Sequence, residues 1–361
     1  MKKILFLADA SSIHTQRMAD LFSDHGYYVE IVSLLPAESS KHNVHIIESK
    51  AYNKRKSNLE YNRFGVLIDS VKYCRKIINR FKPDFVHAHF ASSYGLFGAL
   101  SGFKPLIVSI WGYDAIIFPK LSNLNRIILK FVFHRADKIF ATSEFLCKES
   151  RIYTTKSITR TPFGVDIEKF NCKKNDSENF IVGITKGLRL LYGYKYLIEA
   201  IEIVKKDIPE IELQIIGEGE DREKIEKIIE QKNMENKVKL FGRIPHEKIE
   251  KYICNFDVAV FPSIEYESFG VSVLEVAASG VPSIVSDIGG LPEVIEDNKT
   301  GFLVPPKNAK EIAKKILLLY NDRELRWEMS KNAVNFVKEN YNWLDNSNII
   351  LNEYEKFKQK S

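Results

Sequence analysis

The 361 residues predict an α/β protein built as two doubly wound parallel sheets in tandem. Three observations carry this expectation. Short apolar runs alternate with longer amphipathic ones, which is the rhythm of βαβ units. The rhythm breaks once, at the polar stretch NCKKNDSEN (171–179), as an interdomain linker would break it. A second series of the same kind then begins, and a chain of this length suits two domains at roughly 100–200 residues each.

In the first series the strand-like runs are ILFLA (4–8), YVEIVSL (28–34), VHII (44–47), FVHAHF (85–90), LIVSI (106–110) and KIFATS (138–143). Several are apolar on both faces, as strands buried inside a parallel sheet are. Helix-like stretches lie between them, for instance at 15–25 and 65–81. In the second series the strands are FIVGI (180–184), LQII (213–216), VKLF (238–241), VAVF (258–261) and PSIVS (282–286). Helical runs at about 193–206, 221–232 and 270–279 separate them, and the pattern after residue 308 is helical almost to the end. The domains expected are 1–170 and 180–340, joined by the linker 171–179 and followed by a terminal helix at 341–361. Sheets of this type bind ligands at the carboxyl ends of their strands, so two facing domains would form a cleft.

Composition removes several classes. With 45% apolar and 28% charged residues the chain is neither disordered nor collagen-like. Cys74, Cys147, Cys172 and Cys254 stand far apart, which is neither a disulfide framework nor a zinc pattern and suits a reducing cytoplasm. The opening MKKILFLADA has too short an apolar run for a signal peptide and reads as a first strand. No run approaches the ~18 apolar residues of a membrane span.

Charge is distributed unevenly. Residues 1–170 hold 25 Lys and Arg against 15 Asp and Glu, net +10, whereas residues 171–361 hold 28 against 32, net −4. Such a step is either drift in surface composition or the mark of an anionic partner for the first domain: a membrane surface, a phosphorylated lipid or a nucleic acid.

The turn after the first strand, ADASSIH (8–14), lacks every glycine of a dinucleotide fingerprint. IIGEGEDR (215–222) holds a G-x-G but has Arg222 where the third glycine would stand, so a tight strand-to-helix turn explains it as well. Phosphate-loop, H-E-x-x-H and G-x-S-x-G patterns are absent from the sequence, as is D-x-D, the metal-holding pair of many nucleotide-sugar enzymes. Nothing here requires a metal or other cofactor.

The richest segment is FPSIEYESFGVSVLEVAASGVPSIVSDIGGLPEVIEDNKTG (261–301). Ser268 can cap a helix that starts near Phe269 and ends before Gly280. The amides of Phe269, Gly270 and Val271 would then face outward as an anion site, with Gly270 allowing close approach of a phosphate. Glu267 precedes the helix and Glu275 lies eight residues on, two turns plus ~80°, so both carboxylates can address one ligand. Carboxylates accept hydrogen bonds from vicinal hydroxyls. A phosphate flanked by two such groups describes a nucleoside diphosphate sugar. Glu275 could instead be a solvated helix residue, but its neighbours VL and VAA mark the helix as buried.

Glu267-x7-Glu275, within PSxxExxxFGxxxLExxxxGxPxIxSxxGGxPExIxDxxTGxLVP, resembles the donor-site signature of the family-4 retaining glycosyltransferases of the GT-B fold. The resemblance covers nearly the whole chain: PFGVDIEKF (162–170), YLIEAI (196–201), LQIIGEGEDREKIE (213–226) and VKLFGRIPHEKIEKYICNFDVAVFPS (238–263) are similar to further segments of the family. It implies two Rossmann-like domains facing a cleft, with the C-terminal helices packing back on the first domain. It also implies two basic side chains on the donor diphosphate, in the loop ITKGLRLLYGYKYL (184–197). Lys186 matches the first. Leu191 occupies the second position, so Arg189 is the substitute to test, or Lys186 and the helix N-terminus serve alone. The nucleobase would rest near Gly217 to Gly219 and Gly242-Arg243-Ile244, which makes Gly217 and Arg243 candidate donor contacts.

The first domain matches the family less closely. Ser11, Ser12 and Ile13 stand where many members have a glycine-rich loop. The family's His-Gly-x-Asp reads Trp111-Gly112-Tyr113-Asp114 here: the Asp matches, and Trp111 can stack on a sugar but cannot act as a base. His87 and His89 alternate along their strand and point to one side; either could line the cleft or be a satisfied core histidine. Ser12, His14, Arg17, His89, Trp111 and Asp114 are the acceptor-side candidates.

The function implied is transfer of a hexose or N-acetylhexosamine from a nucleoside diphosphate sugar to a saccharide or lipid-linked saccharide hydroxyl, with retention and without a metal. Lys186 and Glu267 would be catalytic, and no nucleic acid would be bound. A same-fold epimerase or phosphorylase, or a binding protein with a degenerate donor site, is the alternative. The location implied is cytoplasmic, peripheral on the inner face of the membrane. For that last point the helical run LNRIILKFVFHR (124–135) is ambiguous: it reads as a membrane-facing helix or as a core helix with basic edges. The cluster Lys54-Arg55-Lys56 and Arg75, Lys76 and Arg80 add charge to the same domain.

Overall fold

The computed structural model describes residues 1–37, 40–48, 63–170 and 178–358. The chain divides into two units: Met1–Thr161 with Leu351–Ser361, and Pro162–Ile350.

The first unit holds strands β1 (Lys2–Leu7), β2 (Tyr27–Ser33), β3 (Asn43–Ile46), β4 (Phe85–His89), β5 (Leu106–Ile110), β6 (Lys138–Ala141) and β7 (Ile158–Arg160). They form one sheet in the order β3-β2-β1-β4-β5-β6-β7, and every pairing is parallel. Its helices are α1 (Ile13–Asp24), α2 (Arg63–Phe81), α3 (Tyr94–Ser101), α4 (Tyr113–Ile116), α5 (Asn123–Arg135) and α6 (Glu144–Arg151). The central strands β4 and β5 are buried at every residue, whereas the edge strands β3 and β7 are not. That is why the central runs read as unbroken apolar stretches.

The second unit repeats the plan with β8 (Phe180–Thr185), β9 (Ile211–Ile216), β10 (Val238–Gly242), β11 (Val258–Phe261), β12 (Ser283–Ser286) and β13 (Gly301–Val304). The order is β10-β9-β8-β11-β12-β13, again all parallel. Its helices are α7 (Tyr194–Val204), α8 (Arg222–Gln231), α9 (Glu250–Ile253), α10 (Val271–Ala278), α11 (Ala309–Asn321) and α12 (Arg323–Asn340). A last helix, α13 (Trp343–Lys358), begins in the second unit and from Leu351 onward belongs to the first. Segment 162–170 is tied into the second unit by Val165, whose N–H donates to Tyr341 O at 2.8 Å and whose carbonyl accepts from Trp343 N at 3.1 Å.

In both sheets the strand order reverses direction once, between β1 and β4 and between β8 and β11. Loops leaving the carboxyl ends of such a strand pair diverge and open a crevice, the place where doubly wound sheets hold ligands.

Two strands escape the sequence reading. β7 and β13 are three and four residues long and each forms an edge of its sheet. The cysteines also depart from expectation: Cys74 and Cys147 are free and buried, but Cys254 takes part in a disulfide. Sequence spacing does not reveal a bridge that needs only proximity in the fold. Among the described residues no helix is long and apolar enough to cross a membrane.

Candidate active site

The second unit gathers most of the predicted donor residues around its switch point. β8 delivers the loop carrying Lys186, and β11 delivers the loop carrying Glu267. Lys186 Nζ lies 2.8 Å from Glu267 Oε2, with both side chains largely buried. The Tyr192 ring covers the ammonium, 4.8 Å from its centroid. Burial alone would lower the Lys186 pKa, but Glu267, with Tyr192 and Glu275 behind it, outweighs burial and holds it above its ordinary value. Lys186 is therefore a fixed positive charge at neutral pH. Its backbone is equally fixed: Lys186 N–H donates to Ile216 O at 3.0 Å, and Tyr194 Oη donates to Lys186 O at 2.8 Å.

Gly217 takes φ +148°, and a Cβ there would collide with the Lys186 carbonyl oxygen. At Gly219 a Cβ would collide with Leu188 O. The G-x-G is therefore a close approach between two loops, stitched by Leu188 N donating to Glu218 O at 3.2 Å and Asp221 N to Leu188 O at 3.0 Å. Gly217 N also donates to Gly242 O at 2.9 Å. Arg243, exposed at the end of β10, thus borders the same loop.

Helix α10 starts differently from the expectation. Its N-cap is Gly270, at φ +117°, and not Ser268. Ser268 lies two residues upstream, so its hydroxyl does not cap the helix. Gly270 O accepts from Val273 N at 3.0 Å and Leu274 N at 3.3 Å, so the uncommitted first-turn amides begin at Val271. Phe269 precedes the cap. Its role is anchoring: it is buried, with its ring 5.6 Å from Tyr341 and 6.3 Å from Phe163. Gly289 and Gly290 pack against the Glu267 and Ser268 backbone, with Gly290 N donating to Glu267 O at 2.8 Å. The double glycine thereby sets where Glu267 points.

Glu275 is buried on α10, and its Oε1 lies 2.7 Å from His246 Nε2. His246 Nδ1 in turn lies 3.1 Å from Lys169 Nζ. An ammonium can only donate, so Nδ1 accepts and Nε2–H donates to Glu275. His246 and Lys169 are not among the candidates that the sequence singles out. The 29 positions between His246 and Glu275 hide the contact, and the one signal in the sequence is the polar PHEK that follows β10. Arg189 goes elsewhere: it is half-exposed and pairs with Glu220 at 2.9 Å, away from Lys186 and Glu267. Leu191 gives its carbonyl to Ile264 N at 2.9 Å.

In the first unit the candidates also collect at the switch point, but two change role. Asp114 is fully buried. Its carboxylate accepts from Ala91 N at 2.8 Å, Gly112 N at 2.9 Å and Trp111 N at 3.3 Å, so it holds the turn after β5 and presents nothing to an acceptor. Burial pushes its pKa up against those hydrogen bonds. His89 is fully buried as well. Its ring lies 4.3 Å from that of Trp111, and its Nδ1 is 3.3 Å from Thr15 Oγ1. Burial holds its pKa well below the usual histidine range, so it is neutral packing beneath Trp111. His87 is the satisfied core histidine, with Ser109 Oγ and Tyr354 Oη each at 2.7 Å. Ser12, His14 and Arg17 line the start of α1, and the His14 ring lies edge-on to Trp111 at 6.1 Å. Trp111 and these α1 residues are the part-exposed members. Among the described residues no group of three His, Cys, Asp or Glu side chains could hold a metal ion.

A family model described as Glycosyl transferases group 1 matches residues 166–336, and one described as Glycosyl transferase 4-like matches residues 3–143. The chain is similar to an uncharacterized glycosyltransferase of Methanocaldococcus jannaschii, 27% identical over 335 residues that cover 92% of this chain and 90% of that protein. It is also similar to the amylovoran biosynthesis glycosyltransferase AmsK of Erwinia amylovora, 30% identical over 66% of this chain and 62% of that protein. Among solved structures, HepE of Anabaena in complex with UDP-glucose is alike with a TM-score of 0.82 at 18% identity, covering 99% of this chain and 100% of that one. With both sheets wound alike and both family descriptions naming glycosyl transfer, the chain belongs to the glycosyltransferases of the GT-B fold.

Proposed function

We propose that the chain moves a hexose or N-acetylhexosamine from a nucleoside diphosphate sugar to a saccharide or lipid-linked saccharide hydroxyl, with retention at the anomeric carbon and without a metal, at the cytoplasmic face of the membrane. The observation that supports this best is the pair of contacts at the second switch point, Lys186–Glu267 and His246–Glu275. A permanent ammonium and the start of α10 offer positive potential to a diphosphate, and two oriented carboxylates accept from sugar hydroxyls.

In this reading the acceptor oxygen bonds to the anomeric carbon on the face from which the diphosphate departs. The bond from that carbon to the β-phosphate oxygen breaks, and the acceptor proton passes to the leaving phosphate. Lys186 and the Val271 amide stabilise charge that grows on the diphosphate in the transition state. Glu267 keeps the Lys186 ammonium in place, and Trp111 offers a stacking face.

UDP-glucose is the first donor to test, because HepE holds it. A thermal-shift screen of UDP-, GDP- and ADP-sugars should raise the melting temperature with one nucleobase class, since ligand binding to the native state stabilises it. Transfer to a saccharide acceptor panel, with EDTA present, should then yield an α-linked product from an α-linked donor by NMR. Donor binding without turnover would make the chain a binding protein. Release of nucleoside diphosphate without acceptor product would favour a same-fold enzyme of another class. A β-linked product would remove retention, and inhibition by EDTA would remove metal independence.

A further inference from the structure

We propose that the outer face of α5, with the turn before it and the end of α6, is a docking surface for an anionic lipid bilayer. The inference deepens the membrane location proposed above and does not depend on the transfer reaction. Helix α5 is apolar on two sides. Leu129, Val132 and Phe133 point into the first unit and are fully buried. Leu124, Ile127 and Phe131 point outward, 65%, 62% and 37% exposed, at i, i+3 and i+7 on a single ridge. Leu121 before the helix and Ile152 after α6 extend this surface, at 61% and 71% exposure. The run read from sequence as either a membrane-facing or a core helix is thus both, one face each. Scattered exposed leucines need no explanation, but an aligned row of bulky ones does.

The charge around the row says what covers it. Residues 118–156 hold eight Lys and Arg against three Asp and Glu. All three acids are already paired: Asp137 with Lys104 at 2.5 Å, Glu144 with Arg151 at 3.4 Å and Glu149 with Lys120 at 3.2 Å. Arg126 and Lys130 flank the apolar ridge on the exposed side of α5. A cavity of about 350 Å³ adjoins it, lined by Lys130, His134, Arg151 and Lys156 together with Thr154 and Thr155. In that lining Lys156 already donates to His134 O and Ala136 O and Arg151 pairs with Glu144, so Lys130 is the cation placed to meet a lipid phosphate. A second copy of the chain is a poor occupant, because a two-fold contact would set this basic rim against itself. A bilayer takes both parts at once, apolar ridge at the acyl boundary and basic rim among the headgroups.

Of the other basic residues named for this role, Lys76 is exposed on α2, and two are placed otherwise. Arg75 donates to Leu100 O at 2.6 Å and Ser101 O at 3.2 Å, and Arg80 lies 3.8 Å from Glu30. Lys54, Arg55 and Lys56 lie outside the described residues.

The test is sedimentation of the full chain with phosphatidylcholine vesicles and with vesicles of about 30% phosphatidylglycerol, at low and high salt. The protein should bind the anionic vesicles at least ~10-fold more tightly, and less so at high salt. The double variant Leu124→Ser/Ile127→Ser should lose at least ~10-fold in binding. Lys130→Glu should lose roughly 5-fold or more and flatten the salt dependence. All these positions are exposed, and unchanged melting of the variants confirms that they fold. Failure to bind anionic vesicles at low salt overturns the proposal. So does binding that the double variant leaves intact, or a wild-type dimer that the double variant dissociates. Nucleotide-sugar binding, measured on the same samples, reports separately on the transfer reading.

Discussion

At the switch point of the second sheet, between β8 and β11, the titratable side chains are paired with one another: Lys186 with Glu267, and Glu275 with His246, which in turn meets Lys169. At the corresponding point of the first sheet, between β1 and β4, they are fully buried, and burial disfavours their charged forms. His87 and His89 are pushed down by burial, and Asp114 is pushed up. Both sheets are wound alike, so the difference lies in the side chains that fill one crevice geometry. The second presents a fixed cation with counter-charges that can turn to hydroxyls, as a charged diphosphate and its sugar demand. The first presents the part-exposed Trp111, braced from beneath by His89, which suits an uncharged sugar face.

The sharpest way to break this contrast is to remove the cation. Lys186→Ala should lower turnover at least ~100-fold, because one preorganised group aimed at developing charge contributes about 2.7–4 kcal/mol. Near-normal turnover would leave the α10 N-terminus as sufficient and end the electrostatic reading of this loop.

Glu275→Ala should weaken donor binding by about 1–3 kcal/mol, because sugar hydroxyls in a buried site would no longer find their acceptor. His246→Ala should weaken it in the same assay, and the double variant should fall short of the sum, because His246 acts through Glu275. Additive losses in a double-mutant cycle would separate the two residues.

Acid should strike the first unit first. Burial lowers the His87 pKa from 6.5 to about 3. Between those values the unfolded chain takes up a proton that the folded one refuses, so stability is whole above pH 6.5 and is lost as pH falls toward 3. At pH 5 the loss from His87 is about 2 kcal/mol. Melting curves from pH 7 to 5 should show it, and His87→Gln should flatten the dependence. An unchanged slope in that variant would assign the acid sensitivity to other groups.

The smallest effect expected is that of Arg189→Ala. The half-exposed pair with Glu220 should contribute under about 1 kcal/mol, and donor turnover should stay within a few-fold of wild type. A loss comparable to that of Lys186→Ala would show that the loop rearranges around donor and brings Arg189 in.

Much of this site is legible in the sequence because its residues lie close along the chain. Glu267, Gly270 and Glu275 sit on one loop and one helix, and α10 is found within a residue or two of its expected bounds at 270–279. The misjudged positions depend on conformation. Ser268 has the chemistry of a cap, but the packing of Gly289 and Gly290 against this loop goes with a helix that starts at Val271 and is capped by Gly270. Asp114 has the chemistry of a ligand, but three backbone amides claim it.

By itself the sequence determined the two-sheet plan, the place of the central strands and the Glu267–Glu275 spacing, because apolar periodicity and helical geometry are local properties. Only the tertiary structure decided that Lys186 pairs with Glu267 across the switch point, that His246 reaches Glu275, and that α5 turns an apolar ridge outward. Each of these depends on which distant segment arrives beside a residue, and on the burial that follows. Identity and spacing along the chain carry no record of the neighbour that will complete a charge, or of the face that will be left without one.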